Sequence, residues 1–222
     1  MITLPAAHAA ITDIVRGDDE LLIPIRDDHK ATVGWLTPIT IWSLNDCVLM
    51  ESISRWRNNA SRSFLTHFDA TPERTRQWLQ NVVLRDSARL LFLIHSTTKL
   101  IGHFGFRNLT LEAAELDSLV RGESGGHPQL MHLAEVAMVQ WMFSALGISS
   151  LYGYVVEGNW QALELHARVG FRHAELIPLC REVRGTETAF VMGEAGGKSP
   201  DDLYSRKITL SREHFNTQGM AA

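Results

Sequence analysis

The stretch that decides the fold is AELDSLVRGESGGHPQLMHLAEVAMVQWMFSALGISSLYGYVVEGNWQALELHARVGF, residues 114–171. Its residue pattern predicts strands at Ala114–Arg121 and Ser150–Val156, each followed by a helix, at Leu130–Leu146 and Trp160–Arg168. A glycine-containing turn joins the first strand to the first helix. Unpaired amides and the helix dipole at such a helix N-terminus favour negative charge. The pattern therefore predicts a phosphate-binding βαβα unit.

A signature of known type closes this stretch. The run NWQALELHARVGF, residues 159–171, resembles the N-x-x-A-x-x-L-Y/H-x-x-x-G-F signature of the GNAT superfamily of acyl-CoA-dependent N-acyltransferases. Upstream, GHPQLMHLAEVAMVQWMFSALG is similar to the family's pyrophosphate loop and third helix, and AELDSLVRG is similar to the strand that enters the loop. The resemblance covers roughly residues 31–215 and is strongest from Leu90 to Phe171.

The resemblance implies an α/β (α+β) fold, the GNAT fold. Its central sheet is mixed and mostly antiparallel, its fourth and fifth strands splay apart, and helices cover both faces. Along the chain we expect an N-terminal arm at 1–30, a single acyltransferase domain at 31–215 and a C-terminal tail at 216–222. Residues 184–202, rich in glycine and polar side chains, are predicted to form a long insertion loop.

The rest of the chain supplies further start and stop signals. Asp46 precedes a helical face that contains Trp56, and Thr71-Pro72-Glu73 begins a second helix. Leu90–His95 and Lys99–Leu109 predict a β-hairpin. The last strands are expected at 173–183 and 204–210.

Composition excludes several classes of function. The 222 residues carry a formal net charge of −4 without a block of like charges, so the chain is not expected to bind nucleic acid or an anionic membrane. Two cysteines, Cys47 and Cys180, favour free thiols in a reduced compartment. No signal peptide or bilayer-length apolar run is visible, and the cytoplasm is the expected location. The oligomeric state stays open, a homodimer included.

The resemblance implies that acetyl-CoA is the co-substrate and that main-chain amides bind its pyrophosphate. The usual loop is Arg/Gln-x-x-Gly-x-Gly/Ala, whereas the corresponding positions here are Gly126, Gln129 and Met131. A strand amide near Leu119 or Val120 is expected to polarise the thioester. The residues assigned to coenzyme A are Leu119, Val120, Arg121, Gly125, Gly126, His127, Gln129, Leu130, Met131, Asn159 and Ala162.

Two carboxylates are candidates for the general base. Period-two alternation places Glu115 and Asp117 on one face of their strand and Leu116 and Val120 on the other. One carboxylate could take a proton from the attacking ammonium. Alternatively, Arg107 or Arg121 neutralises the pair, or both carboxylates are exposed.

His166 is the candidate general acid. It occupies the position at which many members of the resembled family carry a tyrosine proposed to protonate the departing thiolate. An imidazole with an unperturbed pKa of ~6.5 can supply that proton. The alternative is a packing or surface histidine. The histidines and cysteines otherwise lack the spacing of a metal site, and no metal is expected.

The acceptor site is predicted from Trp56, Arg57 and Asn58, which close a helix beside the expected cleft. Together with the hairpin KLIGHFGFRN and the strand AELDSLVRGE, this run resembles N-acetyltransferases that act on nucleotide-linked amino sugars. The Trp-containing helix is also similar to that of ribosomal-protein N-terminal acetyltransferases. A nucleotide diphosphate would suit the local arginines. Three functions therefore stay open: an amino-sugar N-acetyltransferase, a protein N-terminal acetyltransferase and a catalytically silent acyl-CoA-binding module. The local arginines that would suit the nucleotide diphosphate are Arg55, Arg57, Arg62, Arg74 and Arg76.

Overall fold

The computed structural model describes residues 3–219. Its described α-helices are α1 (Leu4–Arg16), α2 (Cys47–Asn59), α3 (Pro72–Trp78), α4 (Leu130–Trp141), α5 (Trp160–Val169) and α6 (Arg212–Gly219). Its described strands are β1 (Ile23–Arg26), β2 (Thr32–Pro38), β3 (Thr66–His67), β4 (Leu90–Ser96), β5 (Leu100–Arg107), β6 (Ala113–Arg121), β7 (Ser150–Val156), β8 (Arg172–Arg184), β9 (Glu187–Met192) and β10 (Leu203–Ser211). Short 3-10 turns and two π-helical turns, at 79–83 and 142–146, complete the elements.

All ten described strands form one sheet, in the order β1-β2-β4-β5-β6-β7-β10-β8-β9-β3. Every neighbouring pair is antiparallel except β6 and β7, which run parallel. The sheet is therefore mixed and mostly antiparallel, as the resemblance implies. The family's fourth and fifth strands are β6 and β7 here, because β1 and the short β3 add two strands to the count.

Helices cover both faces of the sheet and bury two apolar clusters. The larger cluster joins α1, α4 and α5 to one face, where Ile11, Leu130 and Met138 are completely buried. The smaller cluster lies on the other face, where α2 packs Met50 and Trp56 over the sheet. The predicted two-layer covering of the sheet is confirmed.

The helix starts that the sequence predicts are confirmed by their caps. The Asp46 carboxylate accepts from the Leu49 amide at 2.9 Å at the start of α2. The Thr71 hydroxyl accepts from Arg74 N at 3.2 Å at the start of α3. Helix α4 passes into a π-helical turn and ends at Gly147, whose φ of 72° is left-handed. Each cap satisfies an amide or carbonyl that the helix itself leaves unpaired.

Two predicted segments differ from the structure. The predicted N-terminal arm, residues 1–30, contains α1 and β1, and α1 places Ile11 and Ile14 in the larger core because its apolar residues recur at helical spacing. The predicted insertion loop at 184–202 contains β9, which pairs with β8 from Leu179↔Met192 to Arg184↔Glu187. The predicted tail overlaps α6 as far as residue 219, and residues 220–222 lie outside the described part.

No helix within residues 3–219 is both long enough and apolar enough to cross a membrane.

Candidate active site

The parallel strands β6 and β7 separate part-way along their length. They pair only from Ala113↔Ser150 to Glu115↔Tyr152. Beyond that point β6 continues to Arg121 and β7 to Val156 without further pairing between them. Backbone amides and carbonyls that would be paired inside an ordinary sheet therefore border a gap between the two strands.

A β-bulge in β6 changes which side chains face each side of the sheet. Gly105 pairs with Asp117 and His103 with Val120, so two residues of β6 oppose one residue of β5. Ser118, inside the bulge, has a φ of 57°. The extra residue reverses the alternation, and Leu116 packs in the larger core whereas Val120 packs in the smaller one. The prediction that these two side chains share a face is wrong for this reason.

A cavity of about 370 Å³ passes from one face of the sheet into this gap. On the α2–α3 face it is lined by arginines and aromatic rings. In the gap it is lined by β6 residues 116–119 and β7 residues 153–155, and on the α5 side by Asn159, Ala162 and His166. The volume is that of a small-molecule site.

The two predicted carboxylates both line the cavity but are held differently. Glu115 is buried and accepts from Arg107 at 2.6 Å and from Asn108 at 2.7 Å, one donor on each oxygen. Asp117 is half-buried, and its nearest cationic partner is Arg89 at 4.0 Å. Burial lowers the pKa of Arg107, but the bond to Glu115 and the charge of Asp117 outweigh it and raise that pKa overall. The charge of Glu115 is thus neutralised by Arg107 and both of its oxygens accept hydrogen bonds. Asp117 is the carboxylate whose oxygens are available to a ligand.

His103 fixes the backbone of the bulge. Its Nδ1 lies 2.7 Å from the carbonyl oxygen of Ser118, and since a carbonyl only accepts, Nδ1 carries the proton. Burial lowers the pKa of His103 to about 4, the bond to Ser118 opposing the shift, so the ring is neutral at pH 7. In a planar trans peptide the N–H points opposite to the C=O. The amide of Leu119 therefore points away from His103.

His166 lies against a carboxylate that the sequence analysis did not identify. Its Nδ1 is 2.5 Å from Oε1 of Glu135, which lies on α4 and has no exposed side-chain surface. Oε2 of Glu135 has no partner among the described residues. The imidazole also packs edge-on against Phe171. With Nδ1 held, Nε2 is the ring nitrogen left for the cavity that His166 lines.

The predicted acceptor residues separate into one cavity residue and two structural ones. Arg57 lines the cavity, donates to the carbonyl of Thr66 at 2.6 Å and lies 3.6 Å above the Phe64 ring. Burial lowers the pKa of Arg57 to about 10, which leaves it charged at pH 7. Asn58 instead clamps the backbone of Ala70 through both ends of its amide.

Trp56, predicted beside the acceptor, supports the loop before α4. Its indole N–H donates to Glu123 at 2.9 Å, and this bond, with Arg55 nearby, lowers the pKa of Glu123. Gly122 lies directly on the Trp56 ring, where an added Cβ would come within 2.0 Å of Cδ2. Trp56 is buried in the smaller core and does not line the cavity.

The loop predicted to bind pyrophosphate runs from Arg121 to the start of α4. Arg121 donates to the Gly125 carbonyl at 2.8 Å, and Gly125 and Gly126 both have left-handed φ values, 97° and 74°. Gln129 is the cap residue of α4 and makes no side-chain cap bond. The His127 ring accepts from the Gln129 amide at 3.2 Å. The loop therefore brings backbone amides to the N-terminus of α4, where those of Gln129 and Leu130 donate to His127.

Most members of the predicted coenzyme A set lie outside the cavity lining. Leu119, Asn159 and Ala162 line it, whereas the loop from Arg121 to Met131 does not. The side chains of Leu130 and Met131 belong to the larger core and that of Val120 to the smaller one, so only their backbone could meet a ligand. Asn159 also caps α5, accepting from Ala162 N at 3.3 Å.

Four arginines line the cavity, of which the sequence analysis assigned two to the acceptor. Arg57 and Arg74 were predicted. Arg89 immediately precedes β4, and Arg107 is the last residue of β5. Arg55, predicted with them, pairs with Glu123 at 2.7 Å instead. Their convergence could not be read from the sequence because it depends on the packing of α2 and α3 over the sheet.

Glu135 and His103 are the chemically relevant residues that the sequence analysis missed. Each had a signal: a lone carboxylate in the apolar run LAEVAM, and a histidine in the apolar strand LIGHFGF. A charged or polar residue in an otherwise apolar element requires a partner or a function. Within residues 3–219, no group of three or more His, Cys, Asp or Glu side chains could hold a metal ion.

The gap between two parallel strands, the bulge beside it and the helix-terminal loop form the architecture expected of an acyl-CoA-dependent transferase. The chain belongs to the GNAT acetyltransferase family, because the model of the acetyltransferase (GNAT) domain matches residues 40–172, more than half of its length. It is an acetyl-CoA-dependent N-acetyltransferase. No curated protein sequence matches the chain.

Solved structures share the fold at low sequence identity. Apo FdhC, a nucleotide-linked sugar GNAT, is 12% identical, with a TM-score of 0.62 over 90% of this chain and 97% of that chain. Spermidine N-acetyltransferase from Vibrio cholerae, with CoA and spermine, is 14% identical, with a TM-score of 0.60 over 82% and 96%. RimL, a ribosomal L7/L12 alpha-N-protein acetyltransferase with coenzyme A, is 13% identical, with a TM-score of 0.62 over 86% and 98%. These likenesses show the fold alone.

Proposed function

We propose that the chain acetylates a primary amine on a small anionic acceptor, of the nucleotide-linked amino-sugar class, by direct transfer within a ternary complex. The observation that carries this proposal is the arginine-lined cavity that leads into the gap between β6 and β7. Cytoplasmic location and the absence of a resident metal are part of the same proposal.

The charge of the cavity favours an anion. Its lining contains four guanidinium groups and two carboxylates, Glu115 and Asp117, while His103 is neutral at pH 7. Arg57 has no carboxylate partner among the described residues, and its hydrogen bonds there are to Thr66. Guanidinium groups match phosphate oxygens in geometry and charge. Arg74 and Arg89 also pair with Glu187 and Asp86, so the lining cation without a carboxylate partner within residues 3–219 is Arg57. A polyamine would meet the like charge of Arg57 here, which disfavours the reaction named for the spermidine enzyme.

The aromatic lining suits a ring system beside the phosphates. Phe64, Phe68 and Trp78 line the same side of the cavity as Arg57 and Arg74. The guanidinium of Arg74 lies 4.3 Å above the Phe68 ring. Alternating guanidinium and aromatic planes provide stacking surfaces for a nucleobase or a sugar ring.

The hairpin β8–β9 disfavours a peptide acceptor. β9 pairs with β3 at Thr66↔Ala189 and His67↔Thr188, and Phe190 N donates to the carbonyl of Leu65 at 2.7 Å. Arg74 and Glu187 form an ion pair across the same junction. Because residues 63–66 line the cavity, this junction walls it on one side. A protein N-terminus would need an open groove at this place.

The roles of the chain's own groups follow from the geometry. Amides ahead of α4 would bind the diphosphate of acetyl-CoA, and the gap between β6 and β7 would hold its pantetheine. The Leu119 amide would donate to the thioester oxygen, worth ~3 kcal/mol in the transition state. Asp117 would take the amine proton, directly or through water, and His166 would return one to sulfur.

The test is thiol release from acetyl-CoA with matched acceptors. A nucleotide-linked amino sugar should be turned over, whereas the same amino sugar without its nucleotide diphosphate should react far more slowly. Spermidine and a peptide amine complete the set. Turnover of the peptide or the polyamine alone would overturn the proposal. Binding of coenzyme A without turnover of any amine would favour the silent binding module.

A further inference from the structure

The structure assigns Glu135 as the positioning residue of His166: the buried carboxylate on α4 holds Nδ1–H of the imidazole, so that Nε2–H is presented to the departing sulfur. This inference rests on the proposed transfer through His166 and adds a second residue to it. It predicts that the two side chains act as one unit.

Glu135 is buried at a position where the fold does not need a carboxylate. Glu135 has no exposed side-chain surface, and its Oε2 has no partner among residues 3–219. A half-satisfied buried carboxylate costs free energy, and replacing a buried ion pair by apolar residues is often neutral or stabilising. The packing of α4 against α5 therefore does not require a glutamate at this position.

Glu135 also fixes the orientation of the His166 ring. Oε1 of Glu135 lies 2.5 Å from Nδ1 of His166, a short distance for a carboxylate–imidazole hydrogen bond. A carboxylate only accepts, so Nδ1 carries a proton in the neutral ring and in the imidazolium alike, and Nε2 is the nitrogen that gains or loses the second proton. The ring stays oriented on its other side by Phe171, 5.6 Å away between ring centroids. The remaining ring nitrogen is Nε2, and His166 lines the cavity together with Asn159 and Ala162.

The proton balance of the step is complete. When the tetrahedral intermediate collapses, the C–S bond breaks and its electron pair goes to sulfur. Nε2–H of the His166 imidazolium gives its proton to that sulfur, which leaves as the thiol. The imidazole is then neutral, with Nδ1–H still donated to Glu135, and it is reprotonated through water by a proton that the amine has released. Glu135 keeps its charge throughout.

The experiment combines Glu135→Gln and His166→Phe in a double-mutant cycle, followed by thiol release from acetyl-CoA. Glu135→Gln keeps the side-chain volume and should lower kcat about tenfold or more, with KM for acetyl-CoA changed less than about twofold. In the His166→Phe background the same change should have no further effect on kcat. Glu135→Asp should recover part of the lost rate.

Leu133→Ala is the matched control on the same helix. Leu133 is buried in the larger core and outside the cavity lining, so its loss should lower the unfolding temperature while leaving kcat in place. If Glu135→Gln slows His166→Phe by the same factor as it slows the parent protein, the positioning role is refuted. An unchanged kcat in Glu135→Gln refutes it equally.

The test of Glu135 can be read independently of the test of the proposed acceptor. The cycle can be run with whichever amine the protein acetylates, because the leaving thiol is the same in each case. If no amine is turned over, proton NMR of the imidazole decides. A strongly downfield Nδ1–H signal that is lost in Glu135→Gln and in His166→Phe supports the dyad, and its absence from the parent protein overturns it.

Discussion

Replacing Glu115 by glutamine tests whether Glu115 stabilises the fold while Asp117, on the same strand, takes part in the reaction. Glu115 accepts one bond on each oxygen, from Arg107 at 2.6 Å and Asn108 at 2.7 Å, and its side chain is 6% exposed. Glutamine has one acceptor oxygen, so one of these donors would face an NH₂ group. We expect Glu115→Gln to be destabilising in consequence.

The magnitude follows from the bonds that are lost. A hydrogen bond to a charged group contributes ~1.5–3 kcal/mol, and a buried donor left unpaired costs ~1–3 kcal/mol. The Arg107 side chain is 32% exposed, so solvent screens part of its interaction with Glu115. We therefore expect a loss of about 2–4 kcal/mol in the free energy of unfolding. For a chain of this length that corresponds to a decrease of roughly 5–12 °C in Tm.

Asp117→Asn is the matched control on the same strand. Its only ion pair within the described residues is the 4.0 Å contact with Arg89, so the stability loss should stay below about 1 kcal/mol. Turnover, in contrast, should fall by roughly tenfold or more if Asp117 takes the amine proton. Urea denaturation followed by circular dichroism measures the first quantity and thiol release the second. Equal stability losses in the two variants, or full turnover in Asp117→Asn, would refute the assignment.

Three further outcomes test the cavity, the bulge and the helix cap. Arg57→Ala should raise KM for the anionic acceptor by roughly tenfold or more, because a desolvated guanidinium–phosphate bond is lost. KM for acetyl-CoA should stay nearly unchanged, and equal changes in both constants would contradict the prediction. Because burial lowers the pKa of His103 from 6.5 to about 4, protonation favours the unfolded chain. The stability from this residue is complete above pH 6.5 and is lost as the pH falls toward 4, by up to about 3 kcal/mol, so His103→Gln should flatten the pH dependence of unfolding over that window. Asn159→Ala removes the 3.3 Å cap bond to Ala162 and should cost ~1 kcal/mol of stability together with a raised KM for acetyl-CoA, which steady-state kinetics and thermal denaturation would measure.

Local sequence chemistry was sufficient to place the main elements. The caps at Asp46 and Thr71, the stop at Gly147 and the strands on either side of α4 are each set by residues within a few positions. Such signals act through hydrogen bonds and backbone angles that a short segment contains by itself. Glu115, Asp117, Asn159 and His166 all line one cavity. Alternation along the strand placed the two carboxylates on one face, and the resemblance tied Asn159 and His166 to their elements.

The residues that the sequence analysis misplaced depend on interactions between distant elements. The bulge at Ser118 exists because β6 must pair with β5 on both sides of one extra residue, and this sends Leu116 and Val120 to opposite faces. Trp56 lies under the loop before α4 because α2 crosses that end of the sheet.

The sequence by itself determined the order of the elements from β4 to α5, most of their limits and the family, since these depend on periodicity, caps and a local signature. Only the tertiary structure decided that Glu135 meets His166, 31 residues further along the chain, and that four arginines from separate elements enclose one cavity. The physical reason is that charge pairing and burial depend on distance in space, and distance in space is set by the packing of helices on both faces of the sheet.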